Sequence, residues 1–163
     1  MASYAEALLD FYSGEVLGEA FYSAVLSSAR NDDERLKWST LLQLETETKA
    51  WLRAPMVAHG VSIAEQSSDG AKAMEGLEQF KSLPWTLQMQ GLHDAIVNDF
   101  IPRYQSHADA ARARGAVDEE AVCLYMVDHE KAQVEFAKRE LAGASSDRSL
   151  KALVKFLKYP LKR

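Results

Sequence analysis

Glu15, Glu45, His93 and the His129-Glu130-Lys131-Ala132-Gln133 run stand where helical stripes should be apolar. Each falls near the middle of a different long helical pattern. A buried carboxylate is costly unless it is paired, hydrogen-bonded, protonated or bound to a metal. Carboxylates with a neutral imidazole form a donor set suited to iron or manganese. Four helices that each turn such a group inward would enclose a site in the core of a bundle. Other chemistries lack their residues. No Gly-x-Ser-x-Gly occurs, no serine has His-Asp support, and phosphate-cradling glycine loops are absent. Cys123, the single cysteine, excludes an internal disulfide and a multi-cysteine zinc cage. It lies in an apolar stretch and reads as inert packing.

Helical spacing dominates the elements that must position these groups, and strand alternation is almost absent. A first helix is expected from about Tyr4 to Ala29, with Leu8, Phe11, Glu15, Gly18, Tyr22 and Val25 on one stripe. Asn31-Asp32-Asp33 breaks it and caps a second helix, from about Asp33 to His59. That helix places Trp38, Leu41, Glu45, Thr48 and Leu52 on one face. Pro55 should kink or fray its last turn, and Gly60 should end it. Residues 61–82 form a long crossover, with Gln66-Ser67-Ser68-Asp69-Gly70 as its flexible part and a short helix over Ala71–Phe80. Ser82-Leu83-Pro84-Trp85 opens a third long helix with the stripe Met89, His93, Ile96, Phe100, Tyr104, bent at Pro102. Asp118-Glu119-Glu120 starts a fourth, reaching about Leu141. Ser145-Ser146-Asp147 caps a fifth, ending near Tyr159-Pro160. On the fourth helix one face reads Val122, Met126, His129, Gln133, Phe136. The neighbouring face reads Cys123, Val127, Glu130, Val134, Leu141. Either His129 or Glu130 can therefore point inward.

The two helix pairs show a weak internal repeat. Gly14-Glu15 precedes Tyr22, and Glu45 to Thr48 follow on the next helix. His93 precedes Phe100 at the same interval, and Glu130 to Gln133 follow. This pattern, over roughly residues 4–142, resembles the ferritin-like superfamily, whose di-iron members include rubrerythrins and aldehyde-deformylating oxygenases. Each half of that family supplies a Glu and then a Glu-x-x-His around two irons. Phe100-Ile101-Pro102 also looks like the deformylating oxygenases. The resemblance implies an all-α, ferritin-like four-helix bundle with a long crossover and a short C-terminal helix. It would make Glu15, Glu45 and Glu130 metal ligands, with His93 as the histidine left beside them; Tyr22 could be a redox-active neighbour. Thr48 and Gln133 stand where the motif histidines belong, and His93 stands where a Glu belongs. Hydroxyl and amide oxygens are poorer donors than imidazole. The centre implied is therefore degenerate, with His129 available as a replacement nitrogen ligand.

Each of these residues also has an ordinary reading. Glu15 could be a partly exposed helix glutamate, and Glu45 could join a surface row with Glu47, Lys49 and Arg53. His93 could be a satisfied core histidine, and His129 and Glu130 could lie on a solvated face. In a metal-free core the carboxylates would repel and take up protons, with His93 or a reaching Lys49 neutralising part of the charge. The aromatics Phe11, Tyr12, Phe21, Tyr22, Trp38, Trp85, Phe100 and Tyr125 fall at core spacing.

One domain over residues 1–163 is expected, with the bundle over about 4–142 and an amphipathic helix over about 147–159. No apolar run is long enough to span a membrane. The N-terminus lacks the basic-then-apolar order of a secretory signal, so a cytoplasmic setting is expected. Net charge is −5, yet Arg148 to Arg163 carries six Lys or Arg and no acid. The remaining body is strongly acidic, which argues against nucleic-acid binding. The basic helix could lie on an anionic membrane, but packing on the acidic bundle or on a second subunit fits better. Two functions compete. One is a binding module for a small molecule or protein, holding at most one metal, iron or manganese, or none. The other is a non-haem di-iron or mono-iron oxidoreductase acting on a small organic substrate. A homodimer is the oligomer the apolar tail suggests.

Overall fold

The computed structural model describes residues 3–65, 71, 74 and 76–161. The stretch Gln66–Gly70, expected to be flexible, lies outside them. All regular structure among the described residues is helical.

Helix α1 spans Tyr4–Leu26. Its start is a capping box. The Ser3 hydroxyl accepts from the Glu6 N–H at 3.2 Å, and the Ser3 N–H donates to Glu6 Oε2 at 2.6 Å. It ends before the expected Ala29, where the Ser27 and Ser28 hydroxyls donate to the carbonyls of Ala24 and Val25. Helix α2 spans Asp32–Ala58, with the Asn31 side chain accepting from the Glu34 N–H. Pro55 stays inside its last turn, and Gly60, at φ 68°, ends it. The short crossover helix α3 covers Leu77–Ser82, overlapping the end of the expected Ala71–Phe80 helix and running two residues past it. Positions 72, 73 and 75 of that expected helix lie outside the described residues.

The third rod is composite. Helix α4 (Trp85–Ala95) runs into a π segment at Ile96–Phe100 and continues as α5 (Ile101–Ala113). Pro102 explains the break. It has no N–H, and its ring presses on the carbonyl four residues back. In the π segment the Ile101 N–H bonds instead to the Ile96 carbonyl, five residues earlier. Helix α6 spans Val117–Leu141 and α7 spans Ser146–Val154. The expected run of α7 to Tyr159 fails because the Lys158 and Tyr159 N–H groups turn to the Glu47 carboxylate, at 2.5 and 3.2 Å.

Helix α1 packs along α2, α4 and α5 pack along α6, and α7 lies against α6 and α2. The interior holds two apolar clusters. One gathers Trp38, Leu41, Met89, Phe136 and Leu153; the other gathers Leu8, Phe11, Leu52, Met56, Tyr104 and Met126. Glu15, Glu45 and His129 each lie between these sets along their own helices, so the polar groups form a layer between two hydrocarbon zones.

Candidate metal centre

Glu15, on α1, is fully buried, and neither carboxylate oxygen has a hydrogen-bond donor facing it. His129, on α6, is equally buried, and both ring nitrogens lack a hydrogen-bond partner. His129 Nε2 stands 3.7 Å from Glu15 Oε2 and 3.7 Å from Glu45 Oε1. One donor atom from each of the three residues fits within 4.8 Å of the others. These gaps are too long for hydrogen bonds. Ligand atoms about 2.0–2.2 Å from a shared metal ion stand roughly 3.0–3.6 Å apart, so a small contraction would seat one. The donor set and its orphaned atoms fit a metal ion.

The surrounding groups hold these donors in place. His129 Nδ1 faces Glu130 Oε1 at 3.6 Å. That gap is also beyond hydrogen-bond length; closed by a few tenths of an ångström it would leave Nε2 to present a lone pair toward Glu15 and Glu45, the arrangement in which a carboxylate orients a ligating imidazole. Gln133 Nε2 donates to Glu45 Oε1 at 2.7 Å, and the Tyr22 hydroxyl donates to Gln133 Oε1 at 2.5 Å. Gln133 thus aims Glu45 through its amide. Gly18 gives Glu45 its room: a Cβ there would collide with Oε2 and lie 2.8 Å from Cδ.

Burial drives the protonation of this group. Desolvation, then the charges of Glu45 and Glu130, hold the Glu15 carboxyl well above the usual range. Desolvation and the Glu130 charge push Glu45 up to about 8, against His129 and the Gln133 hydrogen bond. For His129, burial opposes the charge, but Glu130 and Glu45 outweigh it and the imidazole is raised. While both are ionised, Glu15 and Glu45 give each other no donor. A proton held on one supplies the hydrogen bond between them.

Two expected participants are elsewhere. His93 is turned outward, with its Nδ1 2.9 Å from Asp94 Oδ1 and its side chain 21% exposed. Leu92 takes the inward position on α4, since burying leucine costs nothing that burying imidazole would. Thr48 is buried and lines a separate pocket with Trp51 and Tyr125. Lys49 does not reach in; it pairs with Glu19 and, at 2.8 Å, with Glu65. Both His129 and Glu130 are inside, so the alternative between them resolves to both.

The third rod gives the layer apolar side chains and one hydroxyl. Tyr104 Oη is buried without a partner, and its ring end fills the space a Cβ on Gly14 would need. Spacing placed Tyr104 on the core stripe, but nothing in the sequence marked its hydroxyl as unpartnered. A cavity of about 260 Å³ abuts the layer, with Leu17, Phe21, Phe80, Ile96 and Phe100 in its walls and Glu45, Glu130 and Gln133 at its polar end. Phe80 comes from the crossover, which no helical pattern tied to the site. Compared with known proteins, the chain matches no family model, no curated protein and no solved structure.

Proposed function

We propose that this protein is a divergent ferritin-like four-helix bundle that holds one divalent metal ion and binds a small organic ligand beside it. Glu15, Glu45 and His129 Nε2 are its ligands, and iron or manganese suits their mixed oxygen and nitrogen chemistry. The observation that carries this reading is the set of orphaned donors. Both oxygens of Glu15 and both nitrogens of His129 are buried without hydrogen-bond partners, within a cluster of ligand spacing. A cation satisfies the Glu15 oxygens and His129 Nε2 together and leaves Nδ1–H to Glu130, where each atom left unpaired would cost about 1–3 kcal/mol or more. A second metal lacks its nitrogen donor, because threonine stands at position 48 and His93 turns outward to Asp94. The order of long helices and the Gly14-Glu15 to Tyr22 spacing support the ferritin-like assignment. The single buried cysteine fits the cytosol.

Purification from iron- and manganese-supplemented medium, followed by metal analysis, tests the reading. One metal per chain is expected, absent in Glu15→Gln and retained in Glu47→Gln. Near-zero metal with a melting temperature unmoved by added iron or manganese overturns it.

The cavity favours a second reading. Its polar end shares Glu45 with the centre, so a ligand in it would lie beside the metal. A redox-active metal there would supply one-electron and oxygen chemistry, making the protein a mono-iron oxidoreductase. In that case Tyr22 and Gln133 hold Glu45 in place, and the phenyl walls exclude water. Oxygen-dependent absorbance changes in the iron-loaded protein would favour it, and their absence would leave the binding reading alone.

A further inference from the structure

Charge in the centre does not close on the protein's own groups. A divalent ion is balanced by Glu15 and Glu45, with His129 a neutral ligand. Glu130 is then a third carboxylate, 4% exposed, whose facing partner is that neutral ring at 3.6 Å. An uncompensated buried carboxylate is among the costliest groups a core can hold. Glu130 also lines the cavity.

The other polar groups at that end of the cavity are already committed. Gln133 donates to Glu45 and accepts from Tyr22. Glu45 and Glu130 offer acceptors only. The walls are aliphatic and aromatic, with Phe21, Phe80 and Phe100 around the space. Such a chamber rejects an anion, which would face a like charge in a low-dielectric setting. A neutral apolar molecule would fill it and leave Glu130 unbalanced. A monocation with an apolar body satisfies both halves, and phenyl faces are themselves favourable neighbours for an ammonium group.

We infer that the cavity takes a small primary amine, its ammonium seated on Glu130 and its aliphatic or aromatic body between Phe21, Phe80 and Phe100. The charge count rests on the one-metal reading above. Metal and amine therefore favour each other's binding, since each supplies charge the other leaves missing.

The test uses protein whose metal content has first been measured, with n-hexylamine, 1-hexanol and hexanoate as probes. Calorimetry and thermal shift are run near pH 7 at moderate salt, which suppresses adsorption to the acidic surface. Hexylammonium is expected to bind about tenfold or more tighter than hexanol, with hexanoate not binding. Glu130→Gln, assayed at metal concentrations raised until one metal per chain is again bound, is expected to keep hexanol binding but lose the preference for the amine. Gly91→Phe, in the cavity wall beside Phe80, is expected to remain helical by circular dichroism and to bind none of the probes. Hexanoate binding as tightly as the amine overturns the inference. So does an amine preference that survives Glu130→Gln, which would place the nitrogen on the metal or the surface. Absence of metal overturns the one-metal reading and this inference together, whereas one metal with no amine preference overturns this inference alone.

Discussion

Glu15 is the residue on which the centre turns, because both its carboxylate oxygens are fully buried and, without a proton shared with Glu45, lack a donor. Its carboxyl is held well above the usual range by burial and by Glu45 and Glu130. The metal-free protein therefore keeps it neutral, and glutamine reproduces that neutral shape. Glu15→Gln is expected to leave metal-free stability within about 1 kcal/mol of the parent while abolishing metal uptake. Denaturant melts paired with metal analysis check both halves. Glu45 gives the pH dependence. Between its ordinary value of 4.5 and the folded value of about 8, the folded state holds a proton that the unfolded state has released. Stability of the metal-free protein is thus greatest on the acid side and falls as pH rises toward about 8, by on the order of several kcal/mol. The raised His129 acts in the same direction. Metal displaces these protons, so affinity rises with pH over that window and levels off above it. Melting temperatures should fall with pH without manganese and stay nearly level with it; parallel slopes would sink this account. At this scale the sequence was informative where a charged residue stood alone among apolar neighbours, as Glu15 and Glu45 do. It was ambiguous at His93, because Met89-His93-Ile96 and Met89-Leu92-Ile96 fit the helical period equally well.

Helices α1 and α2 approach closely enough at the polar layer that a missing Cβ sets the position of a ligand. Gly18 and Gly91 make a controlled comparison. Both are helical glycines, where alanine alone should stabilise by roughly 0.5–1 kcal/mol. At Gly91 a new Cβ meets Phe80 at 3.6 Å, an ordinary contact, so Gly91→Ala should show most of that gain. At Gly18 the new Cβ collides with the Glu45 carboxylate. Gly18→Ala should therefore displace Glu45, lose the helix gain and weaken metal binding roughly tenfold or more, as expected when a ligand's orientation is lost. Equal metal affinity in the two variants would exclude the steric role. The long helices themselves were legible from their 3.6-residue stripes and the cap at Asn31, which are local signals. The π segment was not. Pro102 announced a disturbance, but a one-residue insertion that re-registers Ile96, Phe100 and Tyr104 is settled by packing against α1 and α6. The same limit applies to Phe80, whose place in the cavity wall depends on how the crossover closes.

Over the whole molecule, the basic C-terminal segment closes the acidic body on the side of the centre opposite the cavity. The Glu47 carboxylate holds it by accepting from the Lys158 and Tyr159 N–H groups. Leu150, Leu153 and Leu157 are buried beneath it. Its packing on the body was readable from the apolar face and the charge contrast. Its early end was not, because Glu47 lies far away in sequence. Phe156 follows α7, and its ring meets His129 edge-on at 6.2 Å and Tyr125 at 5.6 Å. A phenyl ring beside the buried imidazole shields it from water on that side, and in the proposed centre such an apolar shell would govern solvent access to the metal. Phe156 is only half-buried, so Phe156→Ala should cost about 1–2 kcal/mol of global stability, less than a core phenylalanine. Its larger effect should be kinetic: metal release to an excess of chelator should quicken roughly tenfold, with one metal per chain still bound at equilibrium. Lys155→Ala, on the same segment but with its charge outward over the Phe156 face, supplies the comparison and should leave the release rate unchanged. If both variants released metal at the parental rate, the tail would be packing alone, and the centre would owe its dryness entirely to the long helices.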